Sequence, residues 1–203
     1  MKIEGFIERK TFRVTSTDGI TECFQHYDTL SKEQYRKILE QRVQQFVVWN
    51  KRIMNPVDDR DKRAHFHTFW EGDKLLACLR ILPPFLENWE GYQYPIVDRG
   101  TIVDKRISML EGGHAKPEHC FSNHIPDLYE IFKSGNTMME MYKEGHELME
   151  KFAAGEGKKH SDKTSYHRWV GMSVDPWGAP SYIWVHETET QEQWLEKITP
   201  TLH

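Results

Sequence analysis

A chain of 203 residues can bury roughly 70% of the surface its unfolded form exposes, so one domain with a substantial core is the simplest expectation. Its 31 acidic and 27 basic residues are interspersed, which leaves no basic field for duplex nucleic acid and argues against such a partner. Cys23, Cys78 and Cys120 are odd in number and widely spaced; they predict no disulfide framework and a reducing, cytoplasmic setting.

Two segments rich in β-formers, Ile3 to Val14 and Ile20 to Tyr27, flank Ser16-Thr17-Asp18-Gly19 and predict an N-terminal hairpin over residues 1–27. Ser31 with Gln34 three residues on forms a capping box, and Tyr35, Ile38, Leu39, Val43 and Phe46 follow at helical spacing. Strands are expected at His65 to Trp70 and Leu75 to Leu82 around Gly72-Asp73, with Pro83-Pro84 ending the second because proline cannot donate to a ladder. Pro95 to Asp104 predicts a central strand with Arg99-Gly100 as a bulge. Gly112, Gly113 and Pro117 give Ile107 to Ser122 the character of a loop, after which Ile125 to Phe132 and Met138 to Phe152 read as helical. Gly145 allows a second reading of the latter, a strand over Thr137 to Tyr142 and a helix over Glu144 to Ala154. Lys158 to Lys163 reads as a solvated linker. Trp169 to Val174 and Ser181 to His186 predict a last hairpin around Pro176-Trp177-Gly178, and Gln191 to Ile198 a short terminal helix. The first residues, MKIEGFIERK, carry no apolar run of signal-peptide type, and no stretch of about 18 apolar residues occurs, so no membrane span is expected.

The order of features between Leu39 and Pro84 carries a family resemblance. A helix ending in Arg42 runs into Phe46-Val47-Val48, an Asp-rich loop follows at Asp58, Asp59 and Asp61, and two strands meet at Glu71-Gly72-Asp73 before Arg80-Ile81-Leu82. A second block, Gly171-Met172-Ser173-Val174-Asp175 to Ile183-Trp184-Val185, closes the chain in a similar order. Together these blocks resemble the ElaA-like branch of the GNAT N-acetyltransferases. Acyl-homoserine-lactone synthases resemble the first block too, including the Arg80-to-Pro84 ending, but their acidic residue three before the strand arginine is replaced here by Ile96. The resemblance implies an α/β fold: a mixed twisted sheet flanked by helices in a single domain, with a divergent region over residues 105–160. It implies acyl transfer from acetyl-CoA to a small amine by direct attack in a ternary complex.

Such chemistry needs backbone N–H groups to polarise a thioester carbonyl, a base for the ammonium and an acid for the leaving thiolate. The resemblance places the polarising backbone on the strand holding Ile102 and Val103. Asp98 and Asp104 bracket that strand as candidate bases, with solvated strand ends as the plainer reading. Tyr166 and His167 precede Gly171 where the family places a tyrosine acid; packing and capping are the alternative roles. The glycine-rich pyrophosphate turn of the family is missing, and its nearest equivalents are Lys133 with Gly135, and Lys143 with Gly145. A lone glycine beside a helix end is also an ordinary cap. Arg42 either lines the acceptor pocket or pairs with the Asp58, Asp59, Asp61 loop, and that loop with Trp49 and Trp89 suits a cationic amine.

Histidines offer a different class of reading. His114, His119, Cys120 and His124 cluster in sequence and His65 pairs with His67 on one strand face, yet the spacing matches no closed four-ligand zinc pattern. No metal is therefore expected. The enzyme alternatives are another donor or acceptor, including lactone synthesis or nucleobase modification. The non-enzyme alternative is a GNAT-shaped scaffold without its cofactor that binds a protein partner through an aromatic surface, which its seven tryptophans could supply; a homodimer is a separate expectation.

Overall fold

The computed structural model describes residues 11–84, 92–108, 119–120, 131–132, 136–153, 167–175, 177–187, 189 and 193. The hairpin β1 (Phe12–Thr15) and β2 (Ile20–His26) turns through Gly19 at φ +82°. Helix α1 (Lys32–Arg42) starts from the expected capping box, in which Ser31 and Gln34 each accept the other's backbone N–H. It does not continue as an α-helix through Phe46. From Val43 to Trp49 the chain widens into a π-helical segment, with Asn50 N–H donating to the Gln45 carbonyl, and Lys51 follows at a left-handed φ of 54°. Val43, Val47 and Val48 are stiff at χ1 and crowd a regular helical turn, which weakens the α-helical alternative here.

β3 (His65–Glu71) and β4 (Lys74–Leu82) form the second hairpin. β5 (Ile96–Ile102) follows, then two-residue strands β6 (Ile107–Ser108) and β7 (His119–Cys120), which pair in parallel inside the stretch expected to be wholly loop. β8 (Thr137–Met141) and helix α2 (Lys143–Ala153) settle the two readings of that region in favour of the divided one. The break falls at Tyr142, and Gly145 lies inside the helix. β9 (His167–Val174) and β10 (Pro180–His186) make the closing hairpin, turning at Gly178 with φ +84°. The expected helix at 191–198, the linker at 158–163 and most of the one at 125–132 lie outside the described residues; Ile131 and Phe132 are helical and fully buried.

Among the described residues, eight strands form one sheet in the order β1-β2-β3-β4-β5-β8-β10-β9, antiparallel throughout except for β5 against β8. On one face Ile38 of α1 packs with Phe66, Cys78, Leu82, Met138 and Val185. On the other, Phe24, Ile81, Ile131 and Phe132 form a second cluster, and the His65–His67 pair belongs to this apolar face. His65 stacks on Phe24 at 5.2 Å and His67 lies 4.9 Å from Phe69, while His67 Nε2 contacts Glu22 at 2.6 Å. β3 is buried on both faces over six consecutive residues, so its sequence shows no alternation. Cys23 and Cys78 are free thiols, and enclosure pushes Cys78 up to about 12. No helix among the described residues is long and apolar enough to cross a membrane.

Candidate active site

Among the described residues, the only parallel pairing in the main sheet is also its shortest. β5 and β8 are matched at Ile96↔Met138 and Val97↔Met139, and then diverge. The gap opens a cavity of ≈ 270 Å³ between Val97–Gly100 on one side and Met139–Tyr142 on the other, with Phe46 and the start of α2 closing it. Beside this opening β5 carries the expected bulge: Arg80 opposes Asp98 and Cys78 opposes Thr101, so Leu79 faces two residues, Arg99 and Gly100. Arg99 adopts φ 52°, a left-handed conformation unusual for a side chain with a Cβ.

Beneath the bulge lies a buried ionic network. Arg80, fully enclosed, donates to Asp98 through Nε at 2.7 Å and Nη2 at 2.5 Å, and through Nη1 to Asp58 at 2.9 Å and Asp61 at 2.8 Å. Arg42 grips Asp61 with two bonds of 2.7 and 3.1 Å, and the Tyr35 hydroxyl donates to the same carboxylate at 2.8 Å. Arg60 donates to Asp58, which also caps the turn Asp59–Arg63 by accepting the Arg60 N–H. Burial alone would raise the pKa values of Asp58 and Asp98, but Arg80, with Arg60 behind it, outweighs that and holds both carboxyls below the usual range. The network ties the loop of residues 50–64 to β4 and β5 and fixes the cavity floor.

The wall nearest α2 is built differently. The Tyr142 hydroxyl donates to Asp175 Oδ2 at 3.1 Å, while Asp175 Oδ1 accepts the backbone N–H groups of Trp177 and Ala179 at 2.9 and 2.8 Å. Burial is the main reason the Tyr142 pKa is raised, with Asp175 adding to it against the guanidinium groups of Arg99 and Arg52. Arg52 stacks 3.9 Å above the Tyr142 ring and pairs with Glu144. Glu140, also facing the cavity, accepts the Ser181 hydroxyl at 2.9 Å.

Not all residues singled out from the sequence meet here. Asp98 and Gly145 border the cavity. Ile102 donates its N–H to Gln45 Oε1 at 2.9 Å and Val103 donates to the Leu76 carbonyl at 2.9 Å, so both backbone donors are already engaged. Asp104 closes a turn on Arg106, whose hydrogen bonds hold its carboxyl below the usual range, and it does not line the cavity. Lys143 is exposed and lies 3.5 Å from Glu147. A Cβ on Gly145 would come within 3.1 Å of the Met141 Cβ, so close packing of helix on strand accounts for that glycine. Arg42 pairs with Asp61, Asp58 sits among arginines, and Asp59 is exposed beside Lys62. Trp49 is about half exposed and outside the cavity lining. His167 pairs with His186 in the β9–β10 ladder. His119 Nε2 contacts Asp18 at 3.0 Å and Cys120 lies in β7; among the described residues no three His, Cys, Asp or Glu side chains gather to hold a metal. Tyr166, Lys133, Gly135, Trp89, His114 and His124 lie outside the described residues.

Sequence reasoning passed over Arg99 as a side chain, Gln45, Glu140, Tyr142 and Asp175. Tyr142 and Asp175 are 33 residues apart in sequence, and no local motif marks their meeting. In the sequence Arg80 stands out only as part of a strand ending.

No family model matches the sequence, and no curated protein matches it. Solved structures do match in shape. An acyl-CoA N-acyltransferase from Pseudomonas aeruginosa superposes at a TM-score of 0.55 with 15% identity, covering 82% of this chain and 99% of that one. Escherichia coli ElaA gives 0.57 with 16% identity, over 83% and 99% of the two chains. A CoA-dependent acyl-homoserine lactone synthase, BjaI, solved with SAM and isopentyl-CoA, gives 0.50 with 12% identity over 87% and 88%. With the strand order, the parallel β5–β8 pair of the main sheet and the bulged central strand, these superpositions establish that the chain has the GNAT fold.

Proposed function

We propose that the chain is an acyltransferase that moves an acetyl group from coenzyme A to a small amine within a ternary complex. The observation that carries this reading is the divergence of β5 and β8 after two residue pairs, which opens a cavity directly onto the bulged strand. The residues present suit an acyl-CoA donor: past Val97 the edge of β5 has no β8 partner, and Phe46, Leu79, Val97, Met139 and Met141 supply an apolar lining for an acyl-pantetheine arm. Bound there, the thioester supplies an electrophilic carbonyl and a thiolate leaving group. The main chain of Arg99–Gly100 is the strand segment that lies along the cavity and can aim N–H dipoles at the carbonyl oxygen, because Ile102 and Val103 have committed theirs elsewhere.

Of the cavity carboxylates, Asp98 is locked to Arg80, Glu144 is paired with Arg52, and Asp175 is held by Tyr142 and the β9–β10 turn. We assign Glu140 the ammonium proton of the acceptor and Asp98 the positioning of Arg80 and the bulge. Tyr142, kept protonated by burial, gives its proton to the leaving sulfur. With the donor bound, Glu140 would take the first ammonium proton before attack; as the C–N bond forms and the C–S bond breaks, Tyr142 would protonate the departing sulfur and its oxygen would recover the second proton from the attacking nitrogen.

Calorimetric titration with acetyl-CoA, alongside desulfo-CoA and adenosine diphosphate, tests the donor. Binding on the order of micromolar is expected for a substrate complex of this class. Weaker binding in Lys133→Ala or Lys143→Ala would place the phosphate contacts. The absence of heat together with an unchanged melting temperature would sink the acyltransferase reading.

A further inference from the structure

One buried charge in the cavity is not accounted for by the reaction just described. Regular alternation along β5 would send Asp98 and Arg99 to opposite faces of the sheet. Both instead reach the same ionic network, because the left-handed φ at Arg99 turns its side chain back toward the face occupied by Asp98. An arginine in that conformation is strained by its Cβ relative to an ordinary backbone, and glycine would avoid the strain. The side chain so placed is only 6% exposed.

Its bonding is thin for a buried guanidinium, which carries five N–H groups. Nη1 donates to the thioether sulfur of Met54 at 3.3 Å, Nη2 stands 3.6 Å from Asp58 Oδ2, and the group lies 5.0 Å from the Trp177 ring centre. Asp58 already accepts from Arg80 and Arg60, so its attraction to Arg99 is shared three ways. Across Tyr142, Arg52 Nε is also buried with no hydrogen-bond partner. Buried cations normally find a planar anion, and a carboxylate matches the guanidinium fork with two parallel bonds. Phosphate fits less well, since Glu140, Asp98 and Asp175 border the same cavity and would repel a dianion. A zwitterion satisfies both signs.

We propose that Arg99 holds a substrate carboxylate in this cavity, making the acceptor an amino-acid-type amine whose carboxylate lies on Arg99 while its nitrogen faces the acyl group. This rests on the acyltransferase reading. The same carboxylate chemistry could be supplied by the donor's acyl group, as in a succinyl thioester.

Three measurements separate these cases. With acetyl-CoA as donor, initial rates are compared for an amino acid and its carboxamide; with a simple alkylamine as acceptor, they are compared for succinyl-CoA and acetyl-CoA. Preference for the carboxylate partner by about tenfold to a hundredfold in kcat/KM is expected in the acceptor arm, and Arg99→Met should collapse the ratio. Preference confined to the donor arm places the carboxylate on the acyl group and overturns the acceptor assignment. Equal rates in both arms, or a ratio that survives Arg99→Met, overturn the proposal altogether. Calorimetry with the amino acid alone, on the wild type, Arg99→Met and Arg99→Lys, reads carboxylate binding without any donor. Arg99→Lys keeps the charge and so separates loss of the site from loss of the fold. A wild type that binds the amino acid but never acetyl-CoA would retain the Arg99 site and reject the acyltransferase reading, whereas the reverse result would reject the site.

Discussion

Asp98 is worth more to the fold as a buried anion than as a base. Its carboxyl is held below the usual range because Arg80 outweighs the effect of burial, and Asp58 behaves in the same way. A depressed folded-state pKa contributes stability that is present above the unfolded value and lost as pH falls through the folded one. The protein should therefore lose stability as pH drops below about 4, the ordinary Asp value. Asp98→Asn should cost about 3–5 kcal/mol at neutral pH, because it leaves Arg80 with an uncompensated buried charge. It should also flatten the acid limb; urea denaturation across that range checks both, and a wild-type-minus-variant difference independent of pH would contradict the assignment. Tyr142 makes a separate case. Tyr142→Phe removes the proton assigned to the leaving sulfur and should lower kcat by about 100-fold or more with the acetyl-CoA Kd little changed. A rate loss that appears only in KM would move the residue out of the chemistry. The site was partly legible in the sequence: Arg42, Asp58, Asp61 and Asp98 belong to one connected network. Its partner arginines were not, since Arg80 and Arg99 sit in apolar strand sequence and nothing local says that a bulge will bring consecutive residues to one face.

Elements marked by turn or cap chemistry were the readable ones. The capping box at Ser31, the glycine turns at Gly19 and Gly72, and the Arg99-Gly100 bulge all follow from residues whose backbone preferences act locally. What did not follow were features decided by distant contacts. The π-helical segment after Arg42 delivers Gln45 to the Ile102 N–H, a partner 57 residues on. For β8 the sequence leaves helix and strand both open, its Met and Glu content favouring the first and Gly145 allowing the second, and pairing with β10 along its full length decides for the strand. The short β6–β7 pair joins segments that composition alone marks as loop. Two substitutions test the local side of this division. Gly72 has φ +57° and open space where a Cβ would go, so Gly72→Ala should cost about 1 kcal/mol through backbone conformation alone. Ser31→Ala should cost about 1 kcal/mol by orphaning the Gln34 N–H at the start of α1. Thermal or denaturant midpoints read both, and a neutral Gly72→Ala would mean that the turn changes type without penalty.

At the scale of the molecule, the sheet is two antiparallel blocks, β1 to β5 and β8 to β10, stitched by two residue pairs and by the Met138 N–H donated to the Pro95 carbonyl at 2.8 Å. The first block has β3 buried on both faces and the ionic network bracing β4 and β5 against the loop before them. The second ends in β9, an edge strand with Trp169, Met172 and Val174 exposed. Cooperative units in proteins open at free energies set by their own burial and hydrogen bonding, so β8 to β10 should exchange their amide protons by a lower-energy opening than β3 and β4. The cavity lies across the seam, with Val97 to Gly100 from one block and Met139 to Tyr142 from the other. A ligand that fills it binds only when both blocks are in place and therefore stabilises the pair by mass action, by about 2.7 kcal/mol at a hundredfold excess over Kd. Amide hydrogen exchange with and without acetyl-CoA measures this directly. Protection of β8 to β10 should rise toward that of β3 and β4 when the ligand is present. Equal protection in both blocks without ligand would show that the two-pair seam is no weak point, and the splay would then be a rigid cleft rather than a junction that the substrate completes.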